Sequence, residues 1–162
     1  MPRVPDRFDL WIRQAKASTD PARQLDYVLG ALVALPEWFF LNIGTPNDPH
    51  PAVSEVEGTR YLLVFSDPHR VVEIAEQIRI ESSEPPVITV PSATALRWVV
   101  DERPMQSAGI IVNPGPDGVS IPLDNVAHFA AAWQNGGAGQ GIGYWIPNAT
   151  SEEEAFWQEH GL

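Results

Sequence analysis

Tyr61-Leu-Leu-Val-Phe-Ser-Asp-Pro68 carries the clearest fold signal in this 162-residue chain. Residues 61–65 do not alternate between apolar and polar side chains, which is typical of a central strand that is covered on both faces. Asp67-Pro68 then predicts the start of a helix, because aspartate caps helix N-termini and proline is tolerated at the first helical position. A buried strand that leads directly into a capped helix indicates an α/β protein.

The chain on both sides of this stretch contains further elements of the same two kinds. Aromatic and β-branched runs predict five more strands, at residues 38–43, 52–57, 87–90, 109–112 and 119–121. Apolar residues at helical spacing predict more helices, at residues 6–16 and 21–35, after Ser92, and after a capping Asp124. The predicted fold is therefore α/β, a single domain with a central mixed β-sheet flanked by helices and a C-terminal helical tail.

The sequence changes character after residue 135, and residues 1–135 make up the predicted domain. Residues 136–143 are rich in glycine and suit either a flexible linker or a backbone that lies flat against another surface. They match neither of the glycine patterns that bind phosphate groups. Residues 144–162 form an acidic and aromatic tail, in which Ser151 and Glu154 fit a capping box and predict a short terminal helix.

The composition limits the compartment and the partners that we expect. The net charge of −11 repels phosphate polyanions and anionic lipid headgroups, so neither nucleic acid nor a membrane is an expected partner. The absence of cysteine and the scattered positions of the four histidines predict no metal site and no cofactor. The cysteine-free composition and an N-terminus without an apolar signal segment predict a cytoplasmic protein.

The order of these segments resembles the N-terminal domain of the SseB family, the bacterial proteins named for enhanced serine sensitivity. The residues that carry the resemblance are Leu63-Val-Phe-Ser-Asp67 and the helix after it, the strand–helix segment 87–100, and Ile110-Ile-Val-Asn-Pro-Gly115. The resemblance spans roughly residues 25–130. It implies an α/β domain without an established catalytic activity, and it supplies no catalytic residues. The glycine-rich segment and the tail lie outside it.

Polar residues at the ends of the predicted strands are candidate ligand contacts, because ligands of α/β sheets bind at the carboxyl ends of strands. These residues are Asp67, Thr89 and Asn113. Asp67 could also orient His69 for general base catalysis, whereas Ser66 lacks the Gly-x-Ser-x-Gly turn of a hydrolase nucleophile. Helix capping explains Asp67 and turn geometry explains Asn113, so a structural role outweighs a catalytic one for both.

The aromatic residues of the tail are candidate interaction residues, because their apolar surface has to be covered by another surface. They are Tyr144, Trp145, Phe156 and Trp157. One hypothesis is a non-enzymatic protein-interaction module whose tail docks a partner protein or a second copy of the chain. The other is a small-molecule-binding domain or small enzyme that uses the strand ends. A tail that folds back onto its own chain is the alternative to docking.

Overall fold

The computed structural model describes residues 7–78, 86–116, 118–138 and 140–160. Helices and two β-sheets occur along these residues, which confirms the predicted α/β fold. The chain divides into two compact units, which we call the helical unit, Met1–Leu35 with Ala131–Leu162, and the sheet unit, Pro36–Ala130. The first six residues of the predicted domain and the last two of the predicted tail lie outside the described residues.

The α-helices of the described residues are α1 Arg7–Ala17, α2 Pro21–Ala34, α3 Pro68–Gln77, α4 Ser92–Arg97, α5 Leu123–Ala132, α6 Ile142–Trp145 and α7 Ser151–His160. The strands are β1 Glu37–Leu41, β2 Val53–Val56, β3 Thr59–Val64, β4 Val87–Pro91, β5 Gly109–Val112 and β6 Val119–Pro122. All of these strands belong to the sheet unit, whereas α1, α2, α6 and α7 belong to the helical unit. None of the described helices combines the length and the apolar character that a membrane span requires.

The sheet unit is built on a four-stranded mixed sheet with the order β2-β3-β5-β6. β3 and β5 run parallel, with Leu62 opposite Ile110, and the two outer strands are antiparallel to their neighbours. β1 and β4 form a separate antiparallel pair that meets β3 where Phe39 and Phe65 exchange backbone hydrogen bonds of 3.1 and 2.8 Å. The sequence predicted one central sheet, whereas the described residues form a four-stranded sheet and a separate two-stranded one. β1 pairs with the chain of β3 only through Phe39 and Phe65, because β2 pairs with the rest of that edge of β3.

β3 is covered on both faces, as its lack of alternation predicts. Successive side chains of a strand point to opposite faces, so Leu62 and Val64 are buried on one face and Leu63 and Phe65 on the other. Leu63 and Phe65 pack in a cluster with Leu41, Ala52, Val71 and Ala75. Burial of a large apolar side chain contributes about 1.5–3 kcal/mol. The contacts with α3 therefore fix this helix directly after the strand that precedes it.

The predicted helix cap at Asp67 is confirmed, a second cap of the same kind occurs at Asp20, and the predicted cap at Asp124 is wrong. The Asp20 side chain accepts a hydrogen bond of 3.0 Å from the Ala22 backbone N–H, with Pro21 at the first helical position. Asp67 caps α3 in the same way. Asp124, by contrast, lies inside the first turn of α5, because β6 passes directly into a helix that begins at Leu123.

The capping box of α7 lies one residue earlier than predicted. Thr150 Oγ1 accepts a hydrogen bond from the Glu153 backbone N–H, and Glu153 Oε1 accepts one from the Thr150 backbone N–H, both at 3.1 Å. Ser151 with Glu154 fits the same sequence pattern equally well. The structure uses Thr150 and Glu153 because Glu153 is buried against α2, whereas Glu154 is exposed.

Gly115 lies in the turn between β5 and β6 with a φ of 135°, a backbone region that a residue with a Cβ rarely adopts. No atom lies within 4 Å of the position of an added Cβ, so a substitution tests backbone strain alone. Gly115→Val should lower the free energy of unfolding by about 1–2 kcal/mol in urea titrations. Gly141→Val is the control, since Gly141 has equal space and a φ of −78°. If Gly115→Val and Gly141→Val lowered the free energy of unfolding equally, backbone strain at position 115 would not explain the loss.

Candidate functional site

The parallel pairing of β3 and β5 brings Ser66 and Asn113 together at the carboxyl ends of the two strands. Asn113 Oδ1 accepts a hydrogen bond of 3.0 Å from the Ser66 backbone N–H, and Asn113 Nδ2 donates one of 3.0 Å to Ser66 Oγ. Asn113 has a φ of 50°, which asparagine tolerates better than most residues. Ser66 is buried. The amide of Asn113 and the hydroxyl of Ser66 therefore hold the two strand ends together.

The carboxylate of Asp67 is engaged with the helix that it caps. Oδ1 accepts a hydrogen bond of 3.1 Å from the Arg70 backbone N–H, and Oδ2 accepts one of 3.1 Å from Arg70 Nε. His69 is exposed in the first turn of the same helix. These contacts support helix capping as the role of Asp67.

Thr89 lies apart from the other two strand-end candidates. It pairs with Phe39 of β1, and Phe39 in turn pairs with Phe65. Neighbouring strands are about 4.8 Å apart, so Thr89 is roughly 10 Å from the backbone of Phe65. The structure thus brings Asp67 and Asn113 to one edge of the sheet but does not bring Thr89 to them.

The four candidate aromatic residues of the tail divide into two buried and two accessible ones. Trp145 and Trp157 are each 7% exposed within the helical unit, and the Trp157 ring meets Tyr27 edge-on at 6.5 Å. Tyr144 is 46% exposed and Phe156 is half-buried. The tail therefore folds onto helices of its own chain, and the aromatic rings that it presents at the surface are those of Tyr144 and Phe156.

A buried polar cluster, which the sequence analysis missed, joins α2 to α7. Glu153 accepts hydrogen bonds from Arg23 Nη2 at 2.7 Å and Arg23 Nε at 3.2 Å, and a further one from the Tyr27 hydroxyl. The Arg23 and Glu153 side chains are 24% and 11% exposed. The one signal in the sequence is the Thr-x-x-Glu pattern at Thr150, and it does not reveal a partner 130 residues away.

The charge of Glu153 persists far below neutral pH. Burial alone would raise the pKa of its carboxyl, but the hydrogen bonds from Arg23, Tyr27 and the Thr150 backbone outweigh burial and lower the pKa to about 2. Burial and the adjacent carboxylate raise the pKa of Tyr27 above its usual value. A carboxylate with such a low pKa is a weak general base at neutral pH. The cluster therefore serves to tie two helices together.

A cleft of about 290 Å³ in the helical unit is lined by three indole rings, those of Trp11, Trp133 and Trp145. We call it the tryptophan cleft. Trp11 and Trp145 are buried, and Trp133 is half-buried. Other residues that line it are Arg7, Gly30, Val33, Gly137, Gln140 and Ile142.

Two glycines give the indole rings of the tryptophan cleft their positions. A Cβ on Gly30 would lie 2.4 Å from Cζ3 of Trp11, and a Cβ on Gly137 would lie 2.4 Å from Cη2 of Trp145. Glycine inside a helix such as α2 costs roughly 1 kcal/mol relative to alanine, so Gly30 is explained by this close approach. Gly137 is buried, so this part of the glycine-rich segment lies flat against an aromatic surface.

A second cleft in the helical unit, of about 510 Å³, has a different lining. Polar and charged residues predominate, among them Asp20, Arg23, Thr150 and Glu152, with Phe156 at one side. Arg23 is already bonded to Glu153. In the part of the chain that the structure describes, no three histidine, cysteine, aspartate or glutamate side chains converge in a way that could hold a metal ion.

No protein-family model, curated protein or solved structure matches this chain. The resemblance to the SseB family therefore stays a prediction from the sequence.

Proposed function

We propose that this chain is a non-enzymatic protein-interaction module of the SseB-like type and that the tryptophan cleft is where it engages its partner. The observation that carries the proposal is the convergence of three indole rings on one cleft of about 290 Å³. Tryptophan is among the residues that contribute most to binding at protein interfaces, because its large rigid ring fills a desolvated pocket. In the tryptophan cleft the indole rings line the pocket, and a side chain of the partner would pack against them.

The strand ends are less suited to ligand chemistry than the tryptophan cleft. Asp67 and Asn113 already hold hydrogen bonds to Arg70 and Ser66, and a ligand would have to displace them. Thr89 is two strands away. A small-molecule site or a small enzyme at these strand ends therefore has weaker support.

The cysteine-free, acidic composition favours a cytoplasmic setting, and the resemblance favours a bacterial one. A net charge of −11 disfavours nucleic acid as the partner, since polyphosphate would be repelled. A protein partner that inserts one side chain into the tryptophan cleft needs no such charge match.

The proposal is tested by comparing Trp133→Ala with Tyr144→Ala. Both remove an accessible aromatic ring of the helical unit, but only Trp133 lines the tryptophan cleft. After the partner has been captured from lysate and purified, Trp133→Ala should weaken its binding by about 2 kcal/mol, roughly 30-fold, in calorimetric titrations. Tyr144→Ala should bind as the wild type does.

If Tyr144→Ala weakens binding and Trp133→Ala does not, the partner binds at the exposed aromatic residues of the tail. Unchanged binding in both variants would exclude the tryptophan cleft as the docking site. Thermal melts of both variants establish that each is folded before binding is measured.

A further inference from the structure

Among the described residues, β4 has a neighbouring strand on one side only, the side that pairs with β1. The residues of an antiparallel strand point their N–H and C=O groups alternately toward the neighbouring strand and away from it. Asn42 N–H donates a hydrogen bond of 2.9 Å to Pro86 C=O, so Pro86 faces β1. Every second residue after Pro86 faces β1 as well. The backbone groups of Val87 and Thr89 therefore point to the other side, which we call the outer edge of β4.

β1 does not supply hydrogen bonds to the backbone groups of the outer edge. Thr89 lies opposite Phe39, and Phe39 directs its own N–H and C=O groups to Phe65. Within the described residues, the backbone N–H and C=O groups of Val87 and Thr89 have no hydrogen-bond partner. Thr89 is also exposed. An edge of this kind is a template to which another extended strand can add.

The two outer strands of the four-stranded sheet offer less to an added strand. β2 carries the exposed charge of Glu55, and charged side chains on an edge discourage strand pairing. In β6, the residues that face away from β5 are Ser120 and Pro122, and proline has no N–H to donate. Residues 86–91, Pro-Val-Ile-Thr-Val-Pro, contain no charged side chain. β4 is therefore the edge best suited to pairing.

The backbone groups of the outer edge are complementary to those of a second copy in the antiparallel direction. A two-fold axis beside Ile88 places Val87 opposite Thr89 of the second copy, and Thr89 opposite Val87 of the second copy. Each of these pairs exchanges both N–H···O=C bonds, as hydrogen-bonded pairs of an antiparallel ladder do, so each N–H meets a C=O. We infer that the outer edge of β4 binds the same edge of a second copy, which joins two sheet units in a symmetric dimer.

The side chains of β4 support this pairing. Ile88 and Val90 lie opposite two buried residues of β1, Phe40 and Trp38, and are themselves half-buried. In the dimer, Ile88 packs against Ile88 of the second copy, at the Cα separation of about 4.5 Å that is typical of a non-hydrogen-bonded pair. Because residues 86–91 are uncharged, the pairing places no like charges directly opposite each other, despite the net charge of −11.

Sedimentation equilibrium of the full chain tests the dimer. One pair of short strands is a small interface, so we expect a reversible dimer with a Kd on the order of 0.1–1 mM. Thr89→Pro removes an N–H that makes no hydrogen bond within the described chain, and should weaken the dimer about tenfold or more. Ser120→Pro is the matched control, because it removes the outward N–H of β6, and should leave the Kd unchanged. Thermal melts establish that both variants are folded.

Cysteine substitutions test the register, since the chain contains no cysteine of its own. Ile88→Cys places the two thiols of the dimer directly opposite each other, at a Cα separation of about 4.5 Å that suits a disulfide. Thr89→Cys places them diagonally, at about 7–8 Å, which a disulfide does not span. With oxidised glutathione as the oxidant, Ile88→Cys should form covalent dimers in preference to Thr89→Cys, although Thr89 is the more exposed residue.

The opposite results would overturn the inference. They are a full chain that stays monomeric at about 1 mM, a dimer that Thr89→Pro leaves intact, and preferential cross-linking of Thr89→Cys. An intact dimer in Thr89→Pro would place the contact elsewhere, such as in the tail. If the chain is monomeric and Thr89→Pro weakens capture of the partner, the outer edge binds a strand of that partner instead of a second copy. The tryptophan cleft belongs to the helical unit, so the Trp133→Ala titration is decided independently.

Discussion

Replacing Glu153 with alanine is expected to lower the free energy of unfolding of the helical unit by about 3–5 kcal/mol. The reason is the set of groups that would lose their acceptor: the Arg23 guanidinium at 2.7 Å, the buried Tyr27 hydroxyl and the Thr150 backbone N–H. Breaking a buried ion pair leaves an uncompensated charge, which costs more than the pair contributes. Urea titrations followed by far-ultraviolet circular dichroism, together with hydrogen exchange of α2 and α7, measure the loss.

Glu154→Ala is the matched control, because Glu154 is the next residue of the same helix and is exposed. Its effect should lie within about 0.5 kcal/mol of zero. If both alanine variants lose the same stability, the cluster of Glu153 with Arg23 and Tyr27 does not hold the helical unit together.

Acid titration tests the charge of Glu153 separately. The hydrogen bonds from Arg23 and Tyr27 lower its pKa to about 2 from an ordinary value of 4.5, so its contribution is complete above about pH 4.5 and is lost as the pH falls toward 2. The wild type should lose on the order of 3 kcal/mol over this interval through this group. Glu153→Gln should flatten that part of the curve. An unchanged slope would show that the carboxylate is not stabilised in the folded state.

Local signals in the sequence were sufficient for the elements around the central strand. β3 is covered on both faces, and Asp67 with Pro68 starts a helix, and both features follow from patterns only a few residues long. Gly115, in the turn between β5 and β6, has a positive φ, a conformation for which such turns favour glycine.

The polar cluster and the tryptophan cleft could not be predicted, because their parts are far apart in the chain. Two capping boxes of α7 fit the same pattern, and only the burial of Glu153 beside Arg23 decides between them. From the sequence alone, Gly30 would be expected only to destabilise α2. The structure shows that it leaves room for the ring of Trp11. Packing partners of this kind are properties of the folded chain, which hydrophobic periodicity does not contain.

Removal of residues 136–162 is the change with the largest expected effect. A chain that ends at Asn135 lacks four buried apolar side chains of the helical unit, those of Ile142, Trp145, Ile146 and Trp157. At about 1.5–3 kcal/mol each, their burial contributes about 6–12 kcal/mol, which is comparable to the entire stability of a typical domain, about 5–15 kcal/mol. We therefore expect α1 and α2 of the shortened chain to lose their protection from hydrogen exchange.

The control for this removal is the full chain with Tyr144→Ala and Phe156→Ala, which loses the two accessible rings of the tail and keeps the buried ones. It should retain the exchange protection of α1 and α2, because its core is intact. Sedimentation equilibrium distinguishes the remaining alternative, in which the tail packs on a second copy of the chain. In that case the full chain would sediment as a dimer, and the chain ending at Asn135 would be a monomer in which α1 and α2 stay protected. That outcome would overturn the assignment of α7 as an intramolecular partner of α2, since the contacts of Glu153 and Trp157 would then cross between chains.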